Sequence, residues 1–190
     1  PPRLCSSAAS DVYKRQFITM SSELRVDKII PTSGVPTGGG GGIIQVVHEK
    51  RTTSFTTTSQ TYVDFMTATI TPKFNTSKIL ISFGLYGGTN GDVNHPYASI
   101  FRDSTEIGSA TDTGSRTGAS AVFNNVTQQQ IFGGNQHLDS PATTSAITYR
   151  IKVRTSNAQT AYFGRSARDN NAVAYDGRTS SFLTVMEVSA

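Results

Sequence analysis

The chain has no tryptophan and a single cysteine, Cys5. A disulfide framework and a thiolate metal site are therefore excluded, and cysteine usage gives no sign of an oxidising compartment. No apolar run approaches the ~20 residues that span a bilayer as a helix. Stretches rich in Ala, Leu, Glu and Lys, the composition of stable helices, are missing. So are a Gly-x-Ser-x-Gly nucleophile elbow and a pair of carboxylates at a spacing suited to glycoside hydrolysis. These absences remove the usual enzyme signatures, and the sequence predicts a non-enzymatic protein without a cofactor.

The first residues differ in texture from the rest of the chain. "SSAASDVYKRQ", residues 6 to 16, has neither the basic start nor the apolar stretch of a secretory signal. It resembles the translation of a library-preparation adapter ending in its transposon mosaic end, matching from Ser6 to Gln16 without a mismatch. Residues 1–19 are accordingly read as an assembly artefact, with Met20 as the natural start. The whole chain carries 17 basic and 13 acidic residues; without Arg3, Lys14, Arg15 and Asp11 the balance is 14 against 12, a net +2. That small surplus gives no support to nucleic-acid binding.

From Thr52 onward the sequence is crowded with Thr, Ser, Gly and Asn, broken by short runs of β-branched and aromatic residues. Such runs fit pleated, half-buried surfaces. Strands are predicted over 43–50, 62–70, 78–86, 97–103, 105–110, 120–126, 128–134, 146–156, 160–165 and 181–190. In "ITYRIKVR" the alternation puts Ile147, Tyr149, Ile151 and Val153 on one face and Thr148, Arg150, Lys152 and Arg154 on the other. "FLTVMEV" is largely apolar on both faces, which suits a central strand or a subunit interface. "IFRDSTEIG" carries turn formers between two apolar runs and reads as a hairpin. About ten short strands without a helix predict an all-β chain, a jelly-roll β-sandwich over 43–190.

Ahead of it, residues 20–42 form an extended leader with one strand-like stretch, Leu24 to Ile30, then Pro31, Pro36 and five consecutive glycines. The glycines read as flexible linker. A phosphate-cradling loop would need a Lys-Ser/Thr pair after them, and Ile43 and Ile44 stand there instead.

The chemistry-bearing residues are few. "HLDS", 137 to 140, holds a His, an acid and a hydroxyl, but neighbours in one loop rarely assemble a triad, and the residues read as an ordinary loop. His48 and His95 lack a second metal-ligating motif nearby; either could hold an ion only on a symmetry axis, and no metal site is predicted. "RDNNAVAYDGR", 168 to 178, lacks the regular ligand alternation of a calcium hand. Polar loop tips on rigid β scaffolds are where recognition usually resides. The candidate receptor-contact residues are therefore Arg168, Asn170, Asn171, Tyr175 and Asp176 in that loop, and Asn90, Asp92, Asn94 and His95 in "GGTNGDVNHPY". Arg150, Lys152 and Arg154 form a basic stripe whose ordinary reading is a solvated strand face, and Arg102 reads as a solvated strand-end charge.

"MSSELRVDKIIPTSGVP" resembles the opening of virion proteins from tailed phages, marine ones especially. Four blocks, "TATITPKFNTSKILISF" (67 to 83), "YASIFRDSTEIGSA" (97 to 110), "TYRIKVRTS" (148 to 156) and "FLTVMEVSA" (182 to 190), are similar in order and spacing to the C-terminal head of phage tail-fibre and related structural proteins. The resemblance implies a trimeric jelly roll like those of tumour necrosis factor and the complement globular heads. It further implies a homotrimer in the virion, joined to other virion proteins through the leader, that attaches multivalently to a host-surface glycan or protein. Candidate interface residues are Tyr149, Phe163, Phe182, Leu183 and Val185, each of which also suits plain core. The alternative is a free-standing carbohydrate-binding sandwich module, against which the missing tryptophan platform weighs. Neither reading calls for nucleic acid or membrane insertion.

Overall fold

Alternation is the local rule from which the architecture follows: a strand that buries every second side chain needs a second apolar sheet to lie against. The computed structural model describes residues 42–89, 94–124, 130–172, 174 and 176–189, all within the unit Gly39–Ala190. The described residues form strands and no helix. In chain order these are β1 (Ile43–Arg51), β2 (Phe55–Thr57), β3 (Val63–Ile70), β4 (Lys78–Thr89), β5 (Pro96–Arg102), β6 (Thr105–Ile107), β7 (Ala121–Val122), β8 (Ile131–Asp139), β9 (Ile147–Thr155), β10 (Ala161–Phe163) and β11 (Ser181–Val188).

Two antiparallel sheets result. One runs β1-β11-β4-β10-β2, with β8 also pairing β4; the second runs β3-β9-β5-β6, with β7 also pairing β5. The chain crosses repeatedly from sheet to sheet, and its first and last strands, β1 and β11, are neighbours. That winding is a jelly-roll-like sandwich, as the strand pattern predicts. The predicted hairpin is β5–β6, and Asp103 takes the left-handed conformation at its turn, with φ of 53°.

The inward faces interlock. Ile79, Ile81, Phe83 and Leu85 of β4, with Leu183 and Val185 of β11, meet Ile147, Tyr149, Ile151 and Val153 of β9. At one end the rings of Phe65, Phe123 and Phe163 pack with centroids 5.5 and 5.9 Å apart, in tilted and edge-on contacts.

Two features differ from the sequence-based expectation. β8 continues through His137, Leu138 and Asp139, so "HLDS" is mostly strand rather than loop. Its polar residues hide the strand from pattern reading, and what forms it is the ladder with β4 from Ile79↔Asp139 to Gly87↔Ile131. The short β2 lies in a Thr/Ser run without alternation and exists by pairing with β10.

Glu187 is the one inward position of β11 that carries a charge, and it is fully buried. Its carboxylate accepts hydrogen bonds from Gln45 Nε2 (2.6 Å) and from the backbone N–H of Lys73 (2.7 Å) and Phe74 (3.3 Å). Burial alone would raise its pKa, but the neighbouring Ser77 hydroxyl together with these donors outweighs it and holds the group below the ordinary 4.5. The carboxylate thus ties the β3–β4 turn to the end of β11. Glu187→Gln, which replaces one acceptor oxygen with a donor facing N–H groups, is expected to lower stability by about 1–3 kcal/mol. Because the folded-state pKa is depressed, the contribution is present above pH ~4.5 and lost as pH falls through the folded value. Denaturant melts of wild type and variant should therefore converge in acid.

Candidate functional site

The two outward faces of the sandwich are chemically opposite. On the second sheet, Arg150 and Lys152 both reach Asp64, at 2.9 and 3.2 Å. Lys152 also lies 4.9 Å from the Phe101 ring centroid, and the Arg154 guanidinium sits between the rings of Tyr62 (5.3 Å) and Tyr97 (4.7 Å). Two of the three charges of the basic stripe thus share one carboxylate, and Lys152 and Arg154 lie against aromatic faces. It is a solvated face with its own partners, which fits the ordinary reading of those charges.

The outward face of the first sheet carries two lysines, Lys50 and Lys78, and is otherwise made of apolar and uncharged polar side chains among the described residues. Register across β1, β11, β4 and β8 sets its side chains in rows. One row reads Val46, Met186, Leu80, Leu138; the next reads His48, Thr184, Ser82, Gln136; the third reads Lys50, Phe182, Gly84, Gly134; and Tyr86 stands opposite Phe132 in the fourth. The polar row is knitted by His48 Nδ1 to Thr184 Oγ1 at 2.8 Å. Gly84 provides the floor on which the Phe182 and Phe132 rings lie: a Cβ there would stand 2.6 and 2.7 Å from them. Val46, Phe132 and Leu138 are each more than half exposed, and Phe182 is 36% exposed. Two exposed apolar groups thus flank the polar row on this face.

Of the candidate interface residues, only Phe182 belongs to that surface. Tyr149, Phe163, Leu183 and Val185 are wholly buried between the sheets of this one chain and have nothing to offer a partner. The correction is one of parity: on β11 the even positions face out, and the odd ones fill the core.

Asp139 and Arg102 are also placed differently from the sequence reading. Asp139, 7% exposed at the end of β8, accepts two hydrogen bonds from Arg102 Nη1 (2.9 and 3.0 Å). It accepts a third from the Tyr149 hydroxyl (2.8 Å) and a fourth from Ser140 N (2.9 Å). Burial, and then the neighbouring carboxylate, pushes the Tyr149 phenol far up, so it remains a donor. The cluster bridges the sheets. With those acceptors occupied by Arg102 and Tyr149, no His137–Asp139 hydrogen bond forms that could orient a general base.

The loop between β10 and β11 is closed by a bridge between Arg165 and Arg178. Within it Asp176 has no exposed side-chain surface. Its carboxylate receives Arg168 Nε and Nη2, both at 2.7 Å, together with Asn170 N (2.9 Å) and Ser166 Oγ (3.1 Å). The Arg168 hydrogen bonds, first among these effects, hold Asp176 down to a pKa of about 2. A carboxyl 13C titration should show this group ionised at pH 3, where ordinary aspartates are largely protonated. Asp169, in a left-handed backbone conformation with φ of 45°, binds Arg178 through Nε (3.2 Å) and Nη2 (2.8 Å), with Arg165 Nη1 at 3.6 Å. The two forks frame a pocket of about 530 Å³ lined by Asp169, Asn170, Asn171, Ala172, Ala174, Asp176 and Arg178.

Sequence reasoning thus located this loop, and Arg168, Asn170, Asn171 and Asp176 are brought together in it; Tyr175 lies outside the described residues. In the other loop Asn90 and Asp92 lie outside them too. Asn94 is wholly buried, donating from Nδ2 to Gln159 O (3.1 Å) and accepting from Ser156 Oγ (3.3 Å), so it holds the loop base instead of facing a receptor. His95 is half-buried, with its backbone bonded to Ser156. Among the described residues no group of three His, Cys, Asp or Glu could hold a metal ion.

No family model and no curated protein sequence matches the chain. Among solved structures, it is similar to that of the infectious bursal disease virus Gx strain, at 13% identity and a TM-score of 0.41, over 84% of this chain and 44% of that one. It is similar also to the VP2 subviral particle of infectious bursal disease virus, at 12% identity and a TM-score of 0.41, over 87% of this chain and 45% of that one. The chain spans less than half the length of either.

Proposed function

We propose that this chain is a virion structural protein, the head of a tail fibre or receptor-binding protein, that assembles as a homotrimer and attaches to the host surface by many weak contacts. The observation that carries the reading is the row of exposed apolar side chains on the outer face of the first sheet, where Lys50 and Lys78 are the charges among the described residues. Its rows of Val46, Met186, Leu80 and Leu138, and of His48, Thr184, Ser82 and Gln136, suit a second copy of the same face. Apolar side chains there lose water on contact, and hydroxyl, amide and imidazole groups both donate and accept. On the opposite face Arg150 and Lys152 already share the Asp64 carboxylate. The three-fold order and the virion setting come from the sequence resemblance of the leader and the four head blocks. Multivalent display converts weak single contacts into firm attachment through effective concentration, so no chemistry is required of the head.

Light scattering behind size exclusion tests the reading. The expected mass is that of three 20.3 kDa chains. A monomer at tens of micromolar would remove the trimer and favour the single carbohydrate-binding module instead.

A further inference from the structure

The pocket between β10 and β11 has a lopsided hydrogen-bonding capacity. Its acceptors are chiefly the carboxylates of Asp169 and Asp176. Asp176 takes four hydrogen bonds from within the loop, from Arg168, Ser166 and the Asn170 backbone, and each Asp169 oxygen takes one from Arg178, with Arg165 nearby. Asn170 Oδ1 is likewise taken, by the Ala172 N–H at 2.9 Å. What remains for a ligand is mostly donors. Asn170 Nδ2 and the Asn171 carboxamide make no hydrogen bond among the described residues, nor does the Nη1 end of Arg178, whose side chain is 64% exposed at the pocket wall. Charge points the same way: three guanidiniums, Arg165, Arg168 and Arg178, surround two carboxylates, a surplus of one positive charge. Asp169 fixes the Arg178 guanidinium and the Ala172 N–H fixes the Asn170 carboxamide, so these two donors meet little ordering cost on binding. Ala172 and Ala174 add small apolar wall between the donors, which suits the C–H face of a pyranose.

We propose that this pocket binds an acidic saccharide, with the Arg178 guanidinium receiving the carboxylate or sulfate and the Asn170 and Asn171 carboxamides donating to ring hydroxyls. The inference rests on the attachment reading and names its ligand class. A neutral sugar would leave the surplus guanidinium charge unmatched. A guanidinium donor fork, by contrast, fits a planar carboxylate or two sulfate oxygens.

The full chain is titrated calorimetrically with oligogalacturonate, a sulfated galactan oligosaccharide and neutral maltohexaose, alongside Arg178→Gln and Asn171→Ala. Both substitutions lie on exposed side chains, and their melting curves report that the fold is kept. The expected result is millimolar or tighter binding of one or both acidic sugars, weakened at least tenfold in Arg178→Gln and by raised salt, with maltohexaose inert. Preference for the galacturonate identifies a carboxylate ligand, and preference for the galactan a sulfate. Equal binding of maltohexaose, or acidic binding unchanged in Arg178→Gln, overturns this inference while leaving glycan attachment standing. No binding of any of the three overturns the inference. If a broad glycan array is then also blank, glycan attachment itself fails with it.

Discussion

Asp139→Ala is expected to destabilise the protein by about 2–4 kcal/mol, from stranding a buried phenol donor and unpairing a partly exposed guanidinium. In a chain of this size that is a fall in Tm of roughly 10 °C. The loss is large because two groups are stranded at once. The Tyr149 hydroxyl, on a fully buried side chain, loses its acceptor, and the Arg102 guanidinium, whose side chain is 33% exposed, loses its counter-ion. Tyr149→Phe alone removes the donor with the acceptor still held by Arg102 and Ser140, and should cost only about 1 kcal/mol. The double variant Asp139→Ala/Tyr149→Phe should then be less destabilised than the sum of the two singles, since the phenol that Asp139→Ala strands is gone. Chemical denaturation of the four proteins measures this coupling; strict additivity would mean that Tyr149 and Asp139 do not act as a unit.

The second large effect concerns assembly rather than folding. Leu138→Lys places an ammonium in the apolar row beside Leu80 and is expected to convert the proposed trimer to monomer, a weakening of association of at least about 100-fold from one unpaired interfacial charge. Leu138 is 56% exposed in the single chain, so the same substitution should leave the monomer fold intact, with near-ultraviolet dichroism unchanged. Lys152→Ala on the opposite sheet serves as the control, and its mass should match wild type. If Leu138→Lys sediments as wild type while Lys152→Ala dissociates, the interface lies on the charged face and the assignment of the two faces is reversed.

These two expectations sit on different links of the chain from residues to function. The Asp139 cluster stabilises one sandwich by satisfying polar groups that the fold has buried. Leu138, largely exposed in the isolated chain, would take a role only in the proposed assembly. A screen for stability alone would find the first and miss the second.

Periodicity by itself determined much of this protein. The strict alternation of Ile147 to Val153, the absence of helix-forming stretches and the turn residues at Asp103 and Ser104 were enough for an all-β sandwich and its hairpin, because a period of two constrains each residue locally. The 168–178 loop was legible for a similar reason, since Asn, Asp, Gly and Arg without alternation do not make a strand. What the sequence could not carry is pairing between distant segments. Whether Leu183 or Phe182 faces the core depends on how β11 registers with β4, roughly a hundred residues earlier, and both parities look apolar in isolation. The same holds for Asp139, which reads as a loop acid until β8 pairs with β4 and carries it to Arg102 and Tyr149 across the sandwich. Tertiary structure alone decided that one sheet face keeps its charges paired and the other leaves a row of apolar side chains in water.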